Sequence, residues 1–204
     1  MKLGIVNYNC GNVKSLFNAF LHLNSEPFFI NSPLDFEKAT HLALPGVGSF
    51  KYCMTNLLKS GLADALENHV LVRKKPVIGI CVGMQLLFKS SEEDGVNQGL
   101  GWFSGKITKL NRLDGMKIPH VGWNSASFVQ DFGKFKSNQE YDFYFDHSFA
   151  LMESDICLSS SSHSQNFVSS IKYENILACQ FHPEKSQTNG LNFLRSFLDL
   201  NNHA

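Results

Sequence analysis

Two short segments of the sequence carry residue types suited to nucleophilic catalysis. In the first, GICVG, glycines stand two positions before and two positions after Cys81. In the second, FHPE, the residues His182 and Glu184 are two positions apart. A thiolate attacks a carbonyl carbon, an imidazole takes and returns the proton, and a carboxylate orients the imidazole. The two segments together indicate a Cys-His-Glu arrangement with Cys81 as nucleophile, His182 as general base and Glu184 as its orienting partner.

The residues around Cys81 predict a sharp corner between a strand and a helix. The run 76–80 is short and apolar, as in a buried strand, and apolar side chains recur at helical spacing over 84–88. Gly79 and Gly83 would leave room for such a corner, which projects its central side chain outward. The N-terminus of the helix would favour the thiolate. Taken alone, the segment is equally compatible with an inert cysteine in the core.

Backbone amides near Cys81 are candidates for holding an oxyanion. Val82 follows the nucleophile directly, and Val47 lies between two glycines in the loop PGVGSF after the third predicted strand. Because that loop would lie at the carboxyl edge of the sheet, its N–H groups could face an anion; a simple turn is the alternative interpretation. Gln85, four residues after Cys81, would share its helix face.

The FHPE segment predicts that its two titratable side chains lie next to each other. Pro183 restricts His182 to extended backbone geometry, and in an extended segment residues two apart point to the same side. Glu184 would therefore lie beside the imidazole. Neighbours without a functional relation are the alternative interpretation of so short a motif.

The elements that position these residues alternate between strands and helices. Strands are predicted over 2–8, 27–30, 40–44 and 76–80. Helices are predicted over 13–21, 51–60, 62–73 and 191–200. This alternation indicates an α/β fold of three layers, an open and mostly parallel sheet with helices on both faces, and a site at the carboxyl ends of the strands.

The second half of the chain is predicted to be rich in strands. Alternating or β-prone runs cover 106–110, 121–129 and 141–145. His147 follows the last run and, considered alone, fits a hydrogen-bonded structural role. The serine run 159–162 predicts a surface turn without chemistry. Because no linker or repeat divides the sequence, residues 1–204 are expected to form a single domain.

Composition argues against several classes of function. Lysine plus arginine and aspartate plus glutamate number 18 each, so the zero net charge predicts no nucleic acid and no membrane surface as partner. The five cysteines are odd in number and contain no CxxC pair, which indicates a reducing compartment and no metal cage. A signal-peptide pattern and a membrane-spanning apolar run are both missing from the sequence. A cytoplasmic protein without a metal or cofactor is expected.

The segments GICVGMQ and QFHPEKS, in this order and about a hundred residues apart, resemble the triad motifs of the class I glutamine amidotransferases. The resemblance covers nearly the whole chain. Within that class, NYNCGNVKSL, LPGVGSF, IPHVGWN and DHSF are most similar to the glutaminase subunits of imidazole glycerol phosphate synthase. The resemblance implies a flavodoxin-like fold and an enzyme that hydrolyses L-glutamine through a γ-glutamyl thioester.

Roles in the substrate site follow from the resemblance. The amides of Val47 and Val82 would stabilise the tetrahedral oxyanion. The glutamine pocket would be lined by Gly48, Gln85, His147 and Ser148.

A protein partner also follows from the resemblance. Ammonia would pass to a (β/α)₈-barrel cyclase subunit, which forms imidazole glycerol phosphate and an aminoimidazole carboxamide ribonucleotide in histidine biosynthesis. The two subunits would form a heterodimer, and glutamine hydrolysis would be slow until the partner binds its own ligand. The partner-facing side would carry Asn12, Trp123 and Lys185.

Two positions depart from the family pattern, and they leave alternatives open. Val82 stands where leucine is usual, and Phe149 stands where tyrosine is common; neither change removes a triad atom. Paralogous subunits supply ammonia for amidination of a sugar in surface-polysaccharide biosynthesis, which is the alternative acceptor. A partner-binding scaffold without activity is disfavoured by the intact motifs. A cysteine peptidase is disfavoured by Gln85 and the PGVGSF loop, which suit a small amide.

Overall fold

Strands provide the framework of the fold, which we describe from a computed structural model covering residues 1–113 and 115–200. In the first half of the chain the strands are β1 Lys2–Val6, β2 Glu26–Ile30, β3 His41–Gly46, β4 Val77–Cys81, β5 Phe88–Ser91 and β6 Asn97–Gln98. In the second half they are β7 Phe103–Lys109, β8 His120–Phe128, β9 Glu140–His147, β10 Phe149–Leu151, β11 Cys157–Ser162, β12 Asn166–Tyr173 and β13 Ile176–Cys179.

Helices connect the strands of the first half and close the chain. They are α1 Val13–His22, α2 Phe50–Lys59, α3 Ala63–Glu67, α4 Val82–Gln85 and α5 Gln187–Leu198. Short 3₁₀ segments cover Pro33–Lys38 and Pro183–Lys185. The expectation of one domain over 1–204 stays a prediction, and its last four residues lie outside the described part of the chain.

The strands of the described residues form a large mixed sheet and a small one. The large sheet has the order β2-β1-β3-β4-β13-β12-β11-β8-β9. Its first five strands pair in parallel, and the remaining pairs are antiparallel. The small sheet has the order β10-β7-β5-β6. The predicted α/β class and the β-rich second half are confirmed, and the carboxyl ends of β3 and β4 meet at the same edge.

Burial explains why the first strands read as continuous apolar runs. Every residue of β3 and β4 is buried, so both faces of the sheet are covered in this region. Helix α1 presents Leu16 and Phe20 to the core, and the Phe20 ring lies 6.3 Å from that of Phe197 on α5. Leu21, whose helical spacing from Val13 and Phe17 predicts the same apolar face, is instead exposed.

The helix after Cys81 is much shorter than the sequence predicted. It ends at Gln85, and Phe88–Ser91 forms β5, which pairs with β7 in the small sheet. The predicted helical repeat over 84–88 therefore spans a helical turn and the start of a strand. Pairing with a distant strand overrides a local pattern of this length.

Two further segments differ from prediction. The serine run is the strand β11 and not a surface turn, because it pairs with β12 and β8. Its buried Ser159 hydroxyl lies 2.7 Å from the Ser169 hydroxyl oxygen, so small polar side chains pair inside the sheet. The helix predicted over 62–73 is α3 followed by a π-helical turn over Asn68–Val72.

Length and hydropathy of the helices bear on membrane crossing. Across residues 1–113 and 115–200, none of the helices combines the length and the apolar character needed to span a membrane.

Candidate active site

The backbone turns sharply at Cys81, the last residue of β4. Its φ is 55° and its ψ is −113°, a conformation that residues other than glycine rarely adopt. The glycines on either side permit close packing: a Cβ added to Gly83 would lie 1.9 Å from the Leu44 carbonyl oxygen, and one added to Gly79 would lie 3.0 Å from the Gly83 carbonyl oxygen. The structure therefore has the predicted corner, with β3 packed against it.

The Cys81 thiol is buried among polar groups. Its charge raises the pKa of the neighbouring His182 imidazole. Its Sγ also lies 3.7 Å from Gln180 Nε2 and 3.8 Å from the Asp146 carbonyl oxygen. Because α4 has only four residues, its dipole is smaller than that of the longer helix expected from the sequence.

The imidazole of His182 is held from its other side by Glu184. Nδ1 of His182 lies 2.9 Å from Oε1 of Glu184, and both side chains are about 97% buried. His182 has the extended backbone that Pro183 favours, with φ −99° and ψ 94°. Glu184 lies in a 3₁₀ turn and not in the extended segment expected, because the chain turns into α5 at once. The Ser186 hydroxyl closes that turn by donating to the His182 carbonyl oxygen at 2.6 Å.

The charge state of His182 follows from opposing effects. Burial lowers the pKa of His182, but the charge of Cys81 and hydrogen bonds to Cys81 and Glu184 outweigh it and raise the pKa to about 10. The imidazole is therefore protonated at neutral pH when it faces the thiolate. Cys81, His182 and Glu184 are thus electrostatically coupled, and we refer to them as one unit.

The two candidate oxyanion amides lie beside this unit. Val82 is the first residue of α4, so its N–H has no acceptor within the helix. Gly46 pairs with Cys81 across the sheet, which brings the next residue, Val47, to the same edge. The Val47 carbonyl accepts from the Cys53 thiol at 3.5 Å, and Gly48 has a φ of 108°. The roles of Val47 and Val82 as donors stay predictions.

A small cavity adjoins the thiol and collects the residues expected to bind substrate. It is lined by Gly48, Cys81, Val82, Gln85, Glu93, Asp146, His147, Ser148 and Phe149. Its volume is about 40 Å³, close to the space of one water molecule. The four residues predicted for the pocket are thus brought together at the nucleophile.

Gln85 joins the walls of the cavity. Its Nε2 donates to the Phe149 carbonyl oxygen and to Gln180 Oε1, both at 2.9 Å. Gln180 in turn donates to Cys81 Sγ. Gln180 precedes the FHPE motif by one residue, and the sequence offered no separate reason to assign it a role.

Glu93 is a site residue that the sequence reasoning missed. It lies in a polar segment that reads as solvent-exposed, yet it is half-buried at the cavity. Its Oε2 accepts from the Phe50 N–H at 2.7 Å, which fixes the carboxylate near the start of α2. Burial raises the pKa of Glu93. Only the pairing of distant segments reveals that this carboxylate faces the nucleophile.

The residues expected at a partner interface lie on the surface. Trp123 is half-exposed, and its ring centroid lies 6.3 Å from that of Tyr144. Lys185 Nζ lies 5.3 Å from the centroid of the same Tyr144 ring. Asn12 is exposed and caps α1 through a 3.4 Å hydrogen bond from the Ser15 N–H. Their role in binding a partner stays a prediction.

Comparison with known families decides the class of protein. The sequence model of the family described as glutamine amidotransferase class-I matches residues 6–200. The chain belongs to this family. The resemblance drawn from the motifs is thereby confirmed, and so is the assignment of the chain to a family of enzymes.

Curated relatives of this amidotransferase carry a narrower name. A protein of Vibrio vulnificus (strain YJ016), named imidazole glycerol phosphate synthase subunit HisH 2, is 43% identical over 202 residues, which cover 98% of this chain and 94% of the relative. The subunit HisH of Leptospira interrogans is 38% identical over 97% of this chain and 100% of its own length. Imidazole glycerol phosphate synthase hisHF of Schizosaccharomyces pombe is 39% identical over 97% of this chain and 38% of its own length.

Solved structures agree with the amidotransferase fold. A structure described as a glutamine amidotransferase superposes with a TM-score of 0.75 at 16% identity, covering 97% of each chain. The structure of PurLQS from Thermotoga maritima superposes with a TM-score of 0.73 at 18% identity, also covering 97% of each chain. At these identities the likeness concerns the fold alone.

Proposed function

We propose that this amidotransferase is the glutamine-hydrolysing subunit of an imidazole glycerol phosphate synthase, and that it supplies ammonia to a cyclase subunit in histidine biosynthesis. The names of relatives that are 36–43% identical over nearly the whole chain support this pathway. One observation carries the hydrolytic activity: Cys81 raises the pKa of the neighbouring His182 imidazole, whose Nδ1 lies 2.9 Å from Glu184 Oε1.

Acylation begins from the thiolate and the imidazolium. The Cys81 sulfur attacks the side-chain amide carbon of glutamine, and the carbonyl oxygen becomes an oxyanion. The amides of Val47 and Val82 would donate to that oxyanion, each such donor being worth roughly 3 kcal/mol in comparable sites. His182 then gives its proton to the nitrogen as the carbon–nitrogen bond breaks. Ammonia leaves, and a γ-glutamyl thioester stays on Cys81.

Deacylation uses the same groups in the reverse roles. His182, now neutral, takes a proton from a water molecule that attacks the thioester carbon. The carbon–sulfur bond breaks, glutamate is released and the thiolate–imidazolium pair is restored. Glu184 keeps Nδ1 of His182 protonated through both steps, so the other ring nitrogen faces the reacting atoms.

The cavity offers groups that select an amino-acid substrate. Glu93 is a carboxylate held in place by the Phe50 N–H, and it suits the α-ammonium group of glutamine. Gly48, His147 and Ser148 line the same cavity and would enclose the side-chain amide. The cavity of about 40 Å³ would have to widen to admit glutamine, and this step would keep hydrolysis by the chain alone slow.

The proposed partner is a (β/α)₈-barrel cyclase in a heterodimer. The Schizosaccharomyces pombe relative, imidazole glycerol phosphate synthase hisHF, supports an association of this kind, because the chain matches only 38% of that protein and the remainder can hold a second subunit. The exposed surface around Trp123, Tyr144 and Lys185 is our candidate for the contact. All five cysteines are free, as suits a reducing compartment, and we propose that the complex works in the cytoplasm.

The test is glutamate release from glutamine by this chain mixed with the histidine-pathway cyclase of the same organism. The rate is measured with and without the ribonucleotide ligand of the cyclase. We expect a large rise that depends on the ligand and that Cys81→Ala lowers by about 10³-fold or more. Cys157→Ala is the matched control, because Cys157 lies in β11 and lines no part of the cavity.

Two outcomes would contradict the proposal. Full activity of the Cys81→Ala complex would remove the assignment of the nucleophile. A well-folded pair without a ligand-dependent rise would remove the histidine-pathway partner, and a sugar-amidinating acceptor would become the leading hypothesis.

A further inference from the structure

Two buried histidines face each other on the neighbouring strands β8 and β9, next to the cavity. His120 and His147 are direct partners in the antiparallel register. Nδ1 of His120 lies 3.0 Å from Nε2 of His147, and both side chains are buried. His147 lines the cavity, whereas His120 is not among its lining residues. His120 thus contacts the wall of the proposed glutamine pocket from behind.

The partners of these rings allow one arrangement of protons. Nδ1 of His147 lies 3.0 Å from the Phe149 carbonyl oxygen, which can only accept, so this nitrogen carries a proton. Nε2 of a neutral His147 is then an acceptor and requires a donor, which His120 supplies from Nδ1. Nε2 of His120 is in turn an acceptor, and the Asn124 amide lies 3.2 Å from it. The hydrogen bonds therefore run in one direction, from Asn124 to the Phe149 carbonyl.

The chain of hydrogen bonds ends at the Phe149 carbonyl oxygen, which is also linked to Cys81 through Gln85 and Gln180. The Phe149 carbonyl oxygen also accepts from Gln85 Nε2 at 2.9 Å, and Gln85 is bonded to Gln180, which reaches Cys81 Sγ. A change of tautomer at His147 would place a bare nitrogen against the Phe149 carbonyl oxygen. That repulsion would shift the wall formed by residues 147–149.

The surroundings keep both rings neutral and in place. The His120 ring is stacked between Phe145, with centroids 4.9 Å apart, and His163, with centroids 4.2 Å apart. Burial, reinforced by the neighbouring histidine charges, lowers the pKa of His120 to about 4 and that of His147 to about 3. At neutral pH neither ring carries a charge, as the directed hydrogen bonds require.

From this geometry we infer that His120 is a positioning residue for glutamine binding: its Nδ1–H holds His147 as the Nδ1-protonated tautomer and thereby fixes the pocket wall formed by residues 147–149. The inference rests on the proposed glutaminase function, because it assigns a role within that site. His120 itself would touch neither glutamine nor the reacting atoms.

Four substitutions separate the hydrogen bond from packing. His120→Phe keeps an aromatic ring between Phe145 and His163 but removes the donor. His120→Asn places an amide nitrogen where Nδ1 stands, because both are bonded to Cγ. His120→Gln places its amide nitrogen at the position of Nε2 and serves as the matched control. His163→Phe keeps the stacking on His120 and tests the neighbour that makes no hydrogen bond to His147.

The first measurement is the tautomer of His147 by ¹⁵N NMR of the chain, which needs neither glutamine nor the partner. We expect the Nδ1-protonated form in the parent, in His120→Asn and in His163→Phe. We expect loss of that single form in His120→Phe and His120→Gln. The same tautomer in His120→Phe as in the parent would overturn the inference, even if the glutaminase assignment holds.

The second measurement is the glutamine affinity of the complex with the cyclase, using Cys81→Ala so that glutamine persists. We expect His120→Phe and His120→Gln to raise Kd about tenfold, and His120→Asn and His163→Phe to stay within about threefold of the parent. With Cys81 intact, the same variants should raise KM while kcat changes less than about threefold.

Equal affinity in the Asn and Gln variants would overturn the inference. Absence of glutamine binding by the parent would instead contradict the proposed function.

Discussion

Cys81 holds a backbone conformation that costs about 1–3 kcal/mol in an ordinary residue. The close approach of Gly83 to the Leu44 carbonyl maintains it, and the corner places Cys81 close enough to His182 to raise the pKa of the imidazole. His182 in turn is joined to Glu184 by the 2.9 Å hydrogen bond between Nδ1 and Oε1, and both side chains are almost fully buried. Electrostatic interactions in such an environment are strong, so single-atom changes there should have large effects.

Glu184→Gln tests the orienting carboxylate at the residue scale. We expect kcat for glutamine hydrolysis to fall about 10²- to 10⁴-fold, because the neutral amide no longer stabilises the imidazolium or enforces its tautomer. The pKa of His182 should fall below about 10, since hydrogen bonding to Glu184 and its charge both raise it. Steady-state kinetics of the complex and NMR titration of His182 measure the two effects.

The control for this substitution is Glu174→Gln. Glu174 is an exposed carboxylate whose Oε2 lies 2.9 Å from Lys74 Nζ. It lies between β12 and β13, at the end of the sheet opposite the cavity. It should leave kcat unchanged. If Glu184→Gln kept a kcat within threefold of the parent, Glu184 would have no orienting role.

At the scale of elements, the site depends on the contact of α4 with β3. Gly46 and Gly83 belong to these two elements, and a Cβ on Gly46 would lie 2.6 Å from the Gly83 N. The loop carrying Val47 follows β3 directly, so this contact also sets the distance between the two candidate oxyanion amides. A four-residue helix is too short to be stable by itself, and packing supplies its stability.

Gly83→Ala tests that contact. The new Cβ would lie 1.9 Å from the Leu44 carbonyl oxygen, which is backbone and cannot rotate away. We expect the free energy of unfolding to fall by about 3 kcal/mol, at the upper end of overpacking costs. Urea denaturation of the chain measures it.

The control for Gly83→Ala is a substitution at Gly61, a glycine whose added Cβ would contact no other atom. Gly61 has a φ of 69° and no atom within 4 Å of an added Cβ, and asparagine tolerates such a φ. Gly61→Asn should change the free energy of unfolding by less than about 1 kcal/mol. A Gly83→Ala variant as stable as Gly61→Asn would mean that the two elements separate easily.

At the scale of the whole molecule, the buried histidines make stability depend on pH. His147 has a pKa of about 3 in the folded state and about 6.5 when unfolded, and His120 has about 4 and 6.5. At a pH between its folded and unfolded pKa values, each histidine binds more protons in the unfolded chain than in the folded one. The stabilisation is therefore complete above pH 6.5 and is lost as the pH falls toward 4 for His120 and toward 3 for His147. Each histidine contributes a slope of up to about 1.4 kcal/mol per pH unit.

Urea denaturation at pH 7, 5.5 and 4.5 measures this dependence. We expect the free energy of unfolding to fall on acidification, and His120→Asn to reduce the slope by removing one of the two buried rings. His22→Asn, at the exposed end of α1, should leave the slope unchanged. Equal slopes in the His120→Asn and His22→Asn variants would show that His120 charges as readily in the folded state as in the unfolded one.

Local sequence patterns were sufficient to predict several features of the structure. The alternation of short apolar strands and helices determined the α/β class, because side-chain periodicity is a local property. Glycines two positions on either side of Cys81 indicated the corner, and Pro183 next to His182 indicated its extended backbone. The family resemblance likewise came from motifs that are contiguous in sequence, and the match of the family model over residues 6–200 confirmed it.

Features that depend on distant pairing could be decided only by the tertiary structure. The end of α4 at Gln85, the strand formed by the serine run and the position of Glu93 beside the nucleophile each depend on segments remote in sequence. The same holds for the contact of His120 with His147, which exists only because β8 and β9 pair in that register. By itself, the sequence determined which residues could do chemistry; the tertiary structure decided which of them meet, because burial and register depend on distant segments.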